Sequence, residues 1–395
     1  MAARSDHALR VFIVAGEHSG DALGGKLMAA LRRIVPRPVR FAGVGGEAMQ
    51  AEGFASLFPL SDVAVMGPVA ILKALPRLYR RVTDAARAGI AFRPHVVVIV
   101  DSPEFTHPIA RRIRKAMPDV AIIDYVSPSV WAWRPGRAAR MRAYVDHVMA
   151  ILPFEPEVHA RLGGPACTYV GHPLIEQLPL LAGADPKPLI DSLAIGEGGP
   201  ILVVLPGSRR SEVERLMGPF GQAVDDVRAR LGALSVIIPT VESVRPLVEA
   251  EGRRWSVKPH IVSGEAAKHQ AFRAARAALA ASGTVTLELA LAGTPMVVAY
   301  RVDGIAAHLQ FLVKTPHFAL SNLVLARRAF PELMQDDCTP SKLADTLVAV
   351  IEDGPVRVAQ LAALGEVPGR MVLEAGAPSE AAARIVAEYA LGRPG

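Results

Sequence analysis

Cysteine is almost missing from this chain: two in 395 residues, Cys167 and Cys338, far apart in sequence. There is no CxxC, no zinc-ligand spacing and no basis for a disulfide framework. Long apolar runs are missing too, although 51% of the residues are hydrophobic. The richest stretch, Ala277 to Tyr300, is broken by Glu288, Gly293 and Pro295, so no membrane-spanning helix is expected. The N-terminus lacks a signal-peptide pattern. Arg4 and Arg10 precede only a short apolar run, which enters a Gly-rich turn carrying Glu17 and Asp21. A cytoplasmic location is the expectation. No low-complexity tract and no short-period repeat is visible. No RNP, zinc-finger or KH signature accompanies the net charge of +6, so nucleic acid is not expected as a partner. The positive charge is Arg-rich, with local clusters at Arg111–Lys115 and Arg134–Arg142. It suits anionic lipid or a phosphorylated substrate.

What is present is alternation. Short β-rich runs at 10–15, 39–42, 96–101, 120–126, 147–152 and 167–170 are separated by helical patterns at 21–34, 71–88, 108–116 and 135–144. In the first helix Leu23, Leu27, Ala30, Leu31 and Ile34 share one face, with Ser19 or Asp21 as N-cap. Residues 173–199 are rich in Pro and Gly and read as an interdomain connection. A second series follows, with strands at 201–205, 234–239, 260–262, 277–281 and 296–299 and helices at 211–231, 266–275 and 284–291. The expectation is an α/β protein with two doubly wound, Rossmann-like domains facing across a cleft. Their bounds are 1–172 and 200–345. Residues 346–395 read as helices that pack back on the first domain or on a partner subunit.

Several loops at strand ends carry chemistry. The stretch Val11–Leu31 contains Gly20-x4-Gly25-Lys26, most of a triphosphate loop, but Leu27 stands where a magnesium-binding hydroxyl belongs. Glu17 and Asp21 would also repel a triphosphate. An NTPase is rejected, and the glycine spacing is not the dinucleotide fingerprint either. The loop is then either a ligand-binding strand end or a plain turn. At the tip of VVVIVDSPEF, Asp101 is either a general base or a cap for the next helix. YVSPSVWAWRPGRAARMR joins Ser127, Trp131 and Trp133 to a run of arginines. Aromatics with Arg suit a sugar face or a phosphate; core tryptophans before a solvated helix are the alternative.

In the second series, LPGSRRSEV places Ser208 and Arg209 between a strand and a helix N-terminus, a good pyrophosphate arrangement. ASGTVTLE adds Ser282, Gly283 and Thr284, with Glu288 about a turn further in, either accepting from a ribose hydroxyl or merely exposed. Residues 61–82 mix Val69, Leu72 and Leu75 with Lys73, Arg77, Arg80 and Arg81. An interfacial or acyl-chain contact and an ordinary core helix both fit that stripe.

Taken together, AGEHSGD, MGPVAILKALPRL, VDSPEF, YVSPSVWAWR, LPFEP, VGHPL, LPGSRRSEV, ASGTVTLELALAGTPMVVAYR and LSNLVLARRAFPELMQDDCTP resemble the lipid-A-disaccharide synthase family, in family order from about residue 10 to 345. The resemblance implies a two-domain glycosyltransferase fold of the B type. It implies inverting transfer from UDP-2,3-diacylglucosamine to 2,3-diacylglucosamine 1-phosphate (lipid X), without metal or other cofactor, at the cytoplasmic face of the inner membrane. A homodimer is allowed. Carried over, Ser208, Arg209, Ser282, Gly283, Thr284, Glu288 and Asn322 would meet the UDP-sugar. Ser19, Asp21, Ser127 and Trp133 would lie on the acceptor side, with Asp101, then Glu17, as the general base. Val69, Leu72 and Leu75 would touch membrane or acyl chains. The rival readings are an epimerase of UDP-sugars with a similar fold and a non-catalytic UDP- or membrane-binding module.

Overall fold

The computed structural model describes residues 8–64, 68–196, 198–302, 315–373 and 376–392; the side chains at 68–73 fall outside the described residues. The chain forms two compact units, one of Met1–Pro173 with Leu373–Gly395 and one of Leu174–Val372.

The first unit holds six parallel strands: β1 (Leu9–Ala15), β2 (Val39–Val44), β3 (Val96–Val100), β4 (Ala121–Tyr125), β5 (His147–Ala150) and β6 (Ala166–Tyr169). Their order is β2-β1-β3-β4-β5-β6. Every residue of β3 is buried, as expected for a parallel strand covered on both faces. One cover is helix α1 (His18–Ile34) with the Pro378–Leu391 helix, through Leu27, Leu31, Ala382 and Val386. The other is α3 (Pro68–Phe92) with α4 (Pro103–Ala116), through Val82, Ile109 and Ile113. Between them in sequence lies a short α2 (Glu47–Ala51); α5 (Gly136–Met141) and α6 (Glu155–Arg161) follow α4.

The second unit repeats the plan with β7 (Ile201–Leu205), β8 (Ser235–Thr240), β9 (His260–Ser263), β10 (Ala277–Ala281), β11 (Met296–Tyr300) and β12 (Glu332–Met334), all parallel, in the order β12-β11-β10-β7-β8-β9. Its helices include α7 (Leu178–Gly183), α8 (Lys187–Ser192), α9 (Arg210–Leu231), α10 (Arg245–Gly252), α11 (Glu265–Ala274) and α12 (Val285–Ala292).

Two boundaries differ from the sequence expectation. The Pro/Gly-rich stretch 173–199 contains α7 and α8, which pack against α12 and α11 with Leu181 and Leu189 buried, so it belongs to the second unit. The tail is divided. The Pro340–Ile351 and Pro355–Met371 helices stay with the second unit, where Gln360 Oε1 accepts from Met296 N (2.8 Å) and its Nε2 donates to Met296 O (3.1 Å). The Pro378–Leu391 helix packs on α1 in the first. The short elements α2, α6, α10 and β12 were not anticipated, since none is long enough to show a period.

The opening Gly-rich stretch is the clearest correction. Helix α1 begins at His18, with Glu17 at the N-cap position and no side-chain cap. Asp21 is only 3% exposed. Its carboxylate accepts from Gly46 N (2.6 Å), Ala48 N (2.8 Å) and Met49 N (3.1 Å), so it satisfies the open amides at the start of α2. A group so occupied does not face an acceptor hydroxyl, and Asp21 leaves that set. The glycines serve the same contact: a Cβ at Gly25 would stand 2.9 Å from Ala48 O, and one at Gly24 2.7 Å from Met49 Sδ.

Replacing Asp21 by Ala strands three backbone donors, two of them in buried hydrogen bonds. The expected loss is ~2–4 kcal/mol of unfolding free energy, read as a lower urea midpoint at unchanged slope. An unchanged midpoint would show that the α1–α2 contact does not need the carboxylate.

Candidate active site

In both sheets the chain winds one way and then the other, and each reversal opens a crevice at the carboxyl ends of two adjacent strands. In the second unit the reversal lies between β7 and β10. The loops after these strands, 206–209 and 282–284, line a cavity of about 870 Å³ together with Lys268, Glu265 and Glu288. Ser208, Arg209, Ser282, Gly283, Thr284 and Glu288, read from sequence as UDP-sugar contacts, are thus brought to one cavity.

The loop after β7 is fastened from below. Glu212, in the first turn of α9, folds back so that its Oε2 accepts from Ser208 N (3.1 Å) and Arg209 N (3.2 Å). Its Oε1 accepts from Arg209 Nη1 (3.3 Å) and from the Tyr300 hydroxyl (3.1 Å). Two of the amides at this turn, Ser208 N and Arg209 N, are therefore taken. What this loop presents to the cavity is the Arg209 guanidinium, 62% exposed, and the Ser208 hydroxyl.

The loop after β10 is different. Among the described residues the backbone N–H groups of Gly283, Thr284 and Val285 have no hydrogen-bond partner, and they open α12. Open amides at a helix start are a ready anion site. The Ser282 hydroxyl is turned away, donating to Phe318 O (2.8 Å).

Lys268, missed in sequence, sits between two acids: Nζ lies 2.7 Å from Glu288 Oε2 and 2.8 Å from Glu265 Oε2. Burial lowers the Lys268 pKa, but the two glutamates outweigh it and the net shift is upward, so the ammonium stays charged. Its only sequence signal is a lysine in the first turn of α11.

Asn322 does not reach a ligand. It is fully buried; Oδ1 accepts from Ala329 N and Phe330 N (both 2.9 Å), and Nδ2 donates to Phe330 O (2.9 Å) and Glu332 Oε1 (2.8 Å). Every hydrogen-bonding position of the amide is used to fold its own loop.

In the first unit the reversal lies between β1 and β3, and the residues after them meet. Asp101 and Ser102 both have left-handed backbones (φ 54° and 44°), and Val126 after β4 has φ 82°. For non-glycine residues this is strained, most of all for a β-branched one. The turn presses Ser102 against Gly16, where a Cβ would lie 2.5 Å from Ser102 Cβ. Asp101 Oδ1 accepts from Ser102 N (2.7 Å), and Oδ2 accepts from the Ser19 hydroxyl (3.1 Å). Asp101 is half-buried, while Glu17 and Ser19 are exposed. Two anchored oxygens still leave acceptor capacity on the carboxylate.

Ser127 lies inside instead. It is 5% exposed, and its Oγ is 2.9 Å from His159 Nε2 and donates to Pro128 O (3.0 Å). The inward-pointing Trp131 donates from Nε1 to Glu155 Oε1 (3.3 Å), and Glu155 Oε2 accepts from Leu152 N (3.0 Å). The expected Ser127 contact with an acceptor is therefore corrected to a core hydrogen bond. Trp133 is half-buried, with Arg134 5.3 Å over its ring.

A family model described as lipid-A-disaccharide synthetase matches residues 11–365. The lipid-A-disaccharide synthase of Nitrobacter hamburgensis is 49% identical over 381 residues, 96% of this chain and 95% of the relative. That of Nitrobacter winogradskyi is 47% identical over 392 residues, 98% of this chain and 97% of the relative. Among solved structures, UDP-GlcNAc 2-epimerase from Neisseria meningitidis bound to UDP-GlcNAc aligns with TM-score 0.64 at 12% identity, over 97% of this chain and 100% of that one. Acinetobacter baumannii MurG aligns with TM-score 0.57 at 12% identity, over 96% and 99%. At such identity the structural likeness concerns the fold alone.

The network behind Trp131 has a signature in pH. Burial is the main cause that pushes the Glu155 carboxyl from 4.5 up to about 8, with hydrogen bonds from Leu152 and Trp131 only partly opposing it. Between those values the native chain holds a proton that the unfolded chain releases. Stability from this group is therefore full below about 4.5 and declines as pH rises toward about 8. Denaturant midpoints of the wild type should fall across that window relative to Glu155→Gln. Parallel pH profiles for the two proteins would refute a protonated Glu155.

Proposed function

The chain belongs to the lipid-A-disaccharide synthase family, and from that premise we infer how its residues divide the family's reaction. It is a glycosyltransferase of lipid A biosynthesis, joining UDP-2,3-diacylglucosamine to lipid X to give the β-1,6-linked disaccharide 1-phosphate and UDP. The epimerase reading rests on a likeness of fold alone and is set aside.

The observation that carries the division of labour is the cavity at the β7–β10 reversal, where open amides, two cations and Glu288 converge. We assign the donor's diphosphate to the N–H groups of Gly283, Thr284 and Val285 with Arg209 and Lys268. Glu288 then accepts from a ribose hydroxyl. As the glycosidic bond breaks, negative charge grows on the departing phosphate oxygen. Fixed N–H dipoles and guanidinium already aimed at that place lower the barrier without reorganising.

The acceptor is assigned to the first unit, with Asp101 as general base. The 6-hydroxyl oxygen of lipid X forms the bond to the anomeric carbon as the bond to the UDP oxygen breaks on the opposite face. UDP leaves with the electron pair, and the hydroxyl proton passes to Asp101. Displacement from the opposite face inverts the anomeric centre. Ser19 and the Ser102 amide hold the carboxylate's direction, which is where the strain at Asp101 and Ser102 has its use. Glu17, exposed at the N-cap position of α1 two residues before Ser19, is the second choice.

Both substrates carry acyl chains. Among the described residues no helix is long and apolar enough to cross a membrane. Helix α3 exposes Leu75 (49%) and Tyr79 (68%) beside Arg77 and Arg80. Apolar groups flanked by cations suit the cytoplasmic face of an anionic inner membrane, and we propose peripheral attachment there. Val69 and Leu72, expected to share this role, have side chains outside the described residues. Exposed Val356, Val358 and Leu361 on the Pro355–Met371 helix support a second copy of the chain as partner.

Asp101→Asn and Asp101→Ala should each lower kcat by about 10²–10⁴ while UDP affinity is unchanged. Near-normal turnover in Asp101→Ala would move the base elsewhere, with Glu17→Ala tested next. Leu75→Ser with Tyr79→Ser should reduce sedimentation with vesicles of anionic phospholipid. Wild-type sedimentation by this pair would remove α3 from the membrane contact.

A further inference from the structure

Neither the donor cavity nor Asp101 uses the two arginine-rich runs at 111–115 and 134–142. The fold brings them together. The second half of α4 and the segment entering α5 wall a concavity of about 840 Å³ in the first unit. Its lining carries six cations, Arg111, Arg114, Lys115, Arg134, Arg137 and Arg140, against one carboxylate, Glu104.

The wall is built rather than loose. Tyr144 is 4% exposed, and its hydroxyl lies 2.9 Å from His107 Nδ1, whose Nε2 is 3.1 Å from Asp124 Oδ2. His107 and Asp124 are buried as well. Arg111 Nη2 donates to the Tyr144 hydroxyl (3.3 Å), and its guanidinium rests 4.7 Å over the Tyr144 ring. A chain of hydrogen bonds from the core thus aims Arg111. Arg114 is fixed by Asp146 and by Val120 O (2.9 Å). Arg137 pairs with Glu104, with Arg134 3.7 Å from the same oxygen. Burial raises the Glu104 pKa, but the hydrogen bond and charge of Arg137, with the charge of Arg134, outweigh it and the net shift is downward. Lys115 and Arg140 are exposed and have no ion pair or side-chain hydrogen bond among the described residues.

Six like charges within one concavity repel, and two carboxylates, Glu104 within it and Asp146 behind Arg114, do not balance them. An anion does. Forked guanidinium groups match phosphate oxygens pairwise, and the space exceeds what a bare phosphate fills. We propose that this concavity between α4 and α5 is a phosphate-binding site, taking a phosphate group carried on a larger molecule. The assignment does not rest on the glycosyl-transfer reading, because it is measured without turnover.

The test uses the full chain with its second-unit cavity saturated by UDP. Two probes are offered separately: inorganic phosphate, and phosphatidylcholine vesicles containing phosphatidic acid. Lys115→Glu with Arg140→Glu removes two exposed cations of the site. Arg40→Glu with Arg161→Glu makes the same charge change elsewhere on the same unit, at exposed residues with no ion pair or side-chain hydrogen bond among the described residues. The site pair should lose about tenfold or more in affinity for whichever probe binds, and the control pair should change little. Loss for inorganic phosphate alone assigns a small phosphorylated ligand, and loss for vesicles alone assigns a lipid in the bilayer; both support the site. Wild-type protein that binds neither probe, or equal loss in the control pair, overturns it. Should the charge reversal disturb UDP binding, Lys115→Gln with Arg140→Gln reads the same comparison with less perturbation.

Discussion

A parallel sheet that reverses its winding cannot close the gap at the reversal, because neighbouring strands send their connections to opposite faces. Both units inherit this constraint. The gap falls between β1 and β3 in one and between β7 and β10 in the other. In each, the loops leaving the two flanking strands hold the residues assigned to chemistry. Most side chains of these strands are buried, so polar groups can gather mainly at the strand tips. The fold thus concentrates function at two places before any particular side chain is chosen.

The side chains then divide into those that act outward and those that fasten the loops. Asp21, Glu212, Asn322 and Glu332 point into backbone N–H groups of their own or neighbouring loops. An irregular loop beside a cavity leaves amides that neither helix nor strand satisfies, and a buried carboxylate or amide can take two or three at once. That is a structural need as strict as catalysis, and it uses the same residue types. Arg209, Lys268 and Glu288 line the second-unit cavity, and Asp101 keeps acceptor capacity, because other groups have met the backbone's needs.

This division explains which parts of the site were legible in the sequence. All strands of both sheets but the three-residue β12 could be read from β-rich apolar runs, since buried parallel strands leave little else. The loops at the reversals could be read as well, because Gly, Ser and Asp cluster there. Direction could not. Asp21 and Asp101 both follow a buried strand within a polar loop, yet one caps α2 and the other stays half-exposed. What separates them is α2, a single short turn of helix with no periodic signal, packed close enough to need Gly24 and Gly25. Asn322, carried over as a UDP-sugar contact by the family resemblance alone, turns inward, and its partners Ala329, Phe330 and Glu332 become neighbours only after the chain folds back on itself.

Lys268 shows the opposite failure. A lone lysine early in an amphipathic helix has the appearance of a solvated charge. It becomes part of the second-unit cavity only because α11 and α12 lie side by side, placing Glu288 2.7 Å from its ammonium. The two carboxylates that flank it do more than hold its position. They keep it charged against burial, so the cavity retains a cation whether or not an anion is bound. A diphosphate entering there can take over hydrogen bonds already made to carboxylates, with no new charge to create. Arg209 is arranged likewise, with Glu212 touching one side of its guanidinium while most of it stays exposed. In both cases the acid that steadies the cation also limits how strongly it binds an anion. Such a balance suits reversible binding of an anion, as the proposed donor site requires.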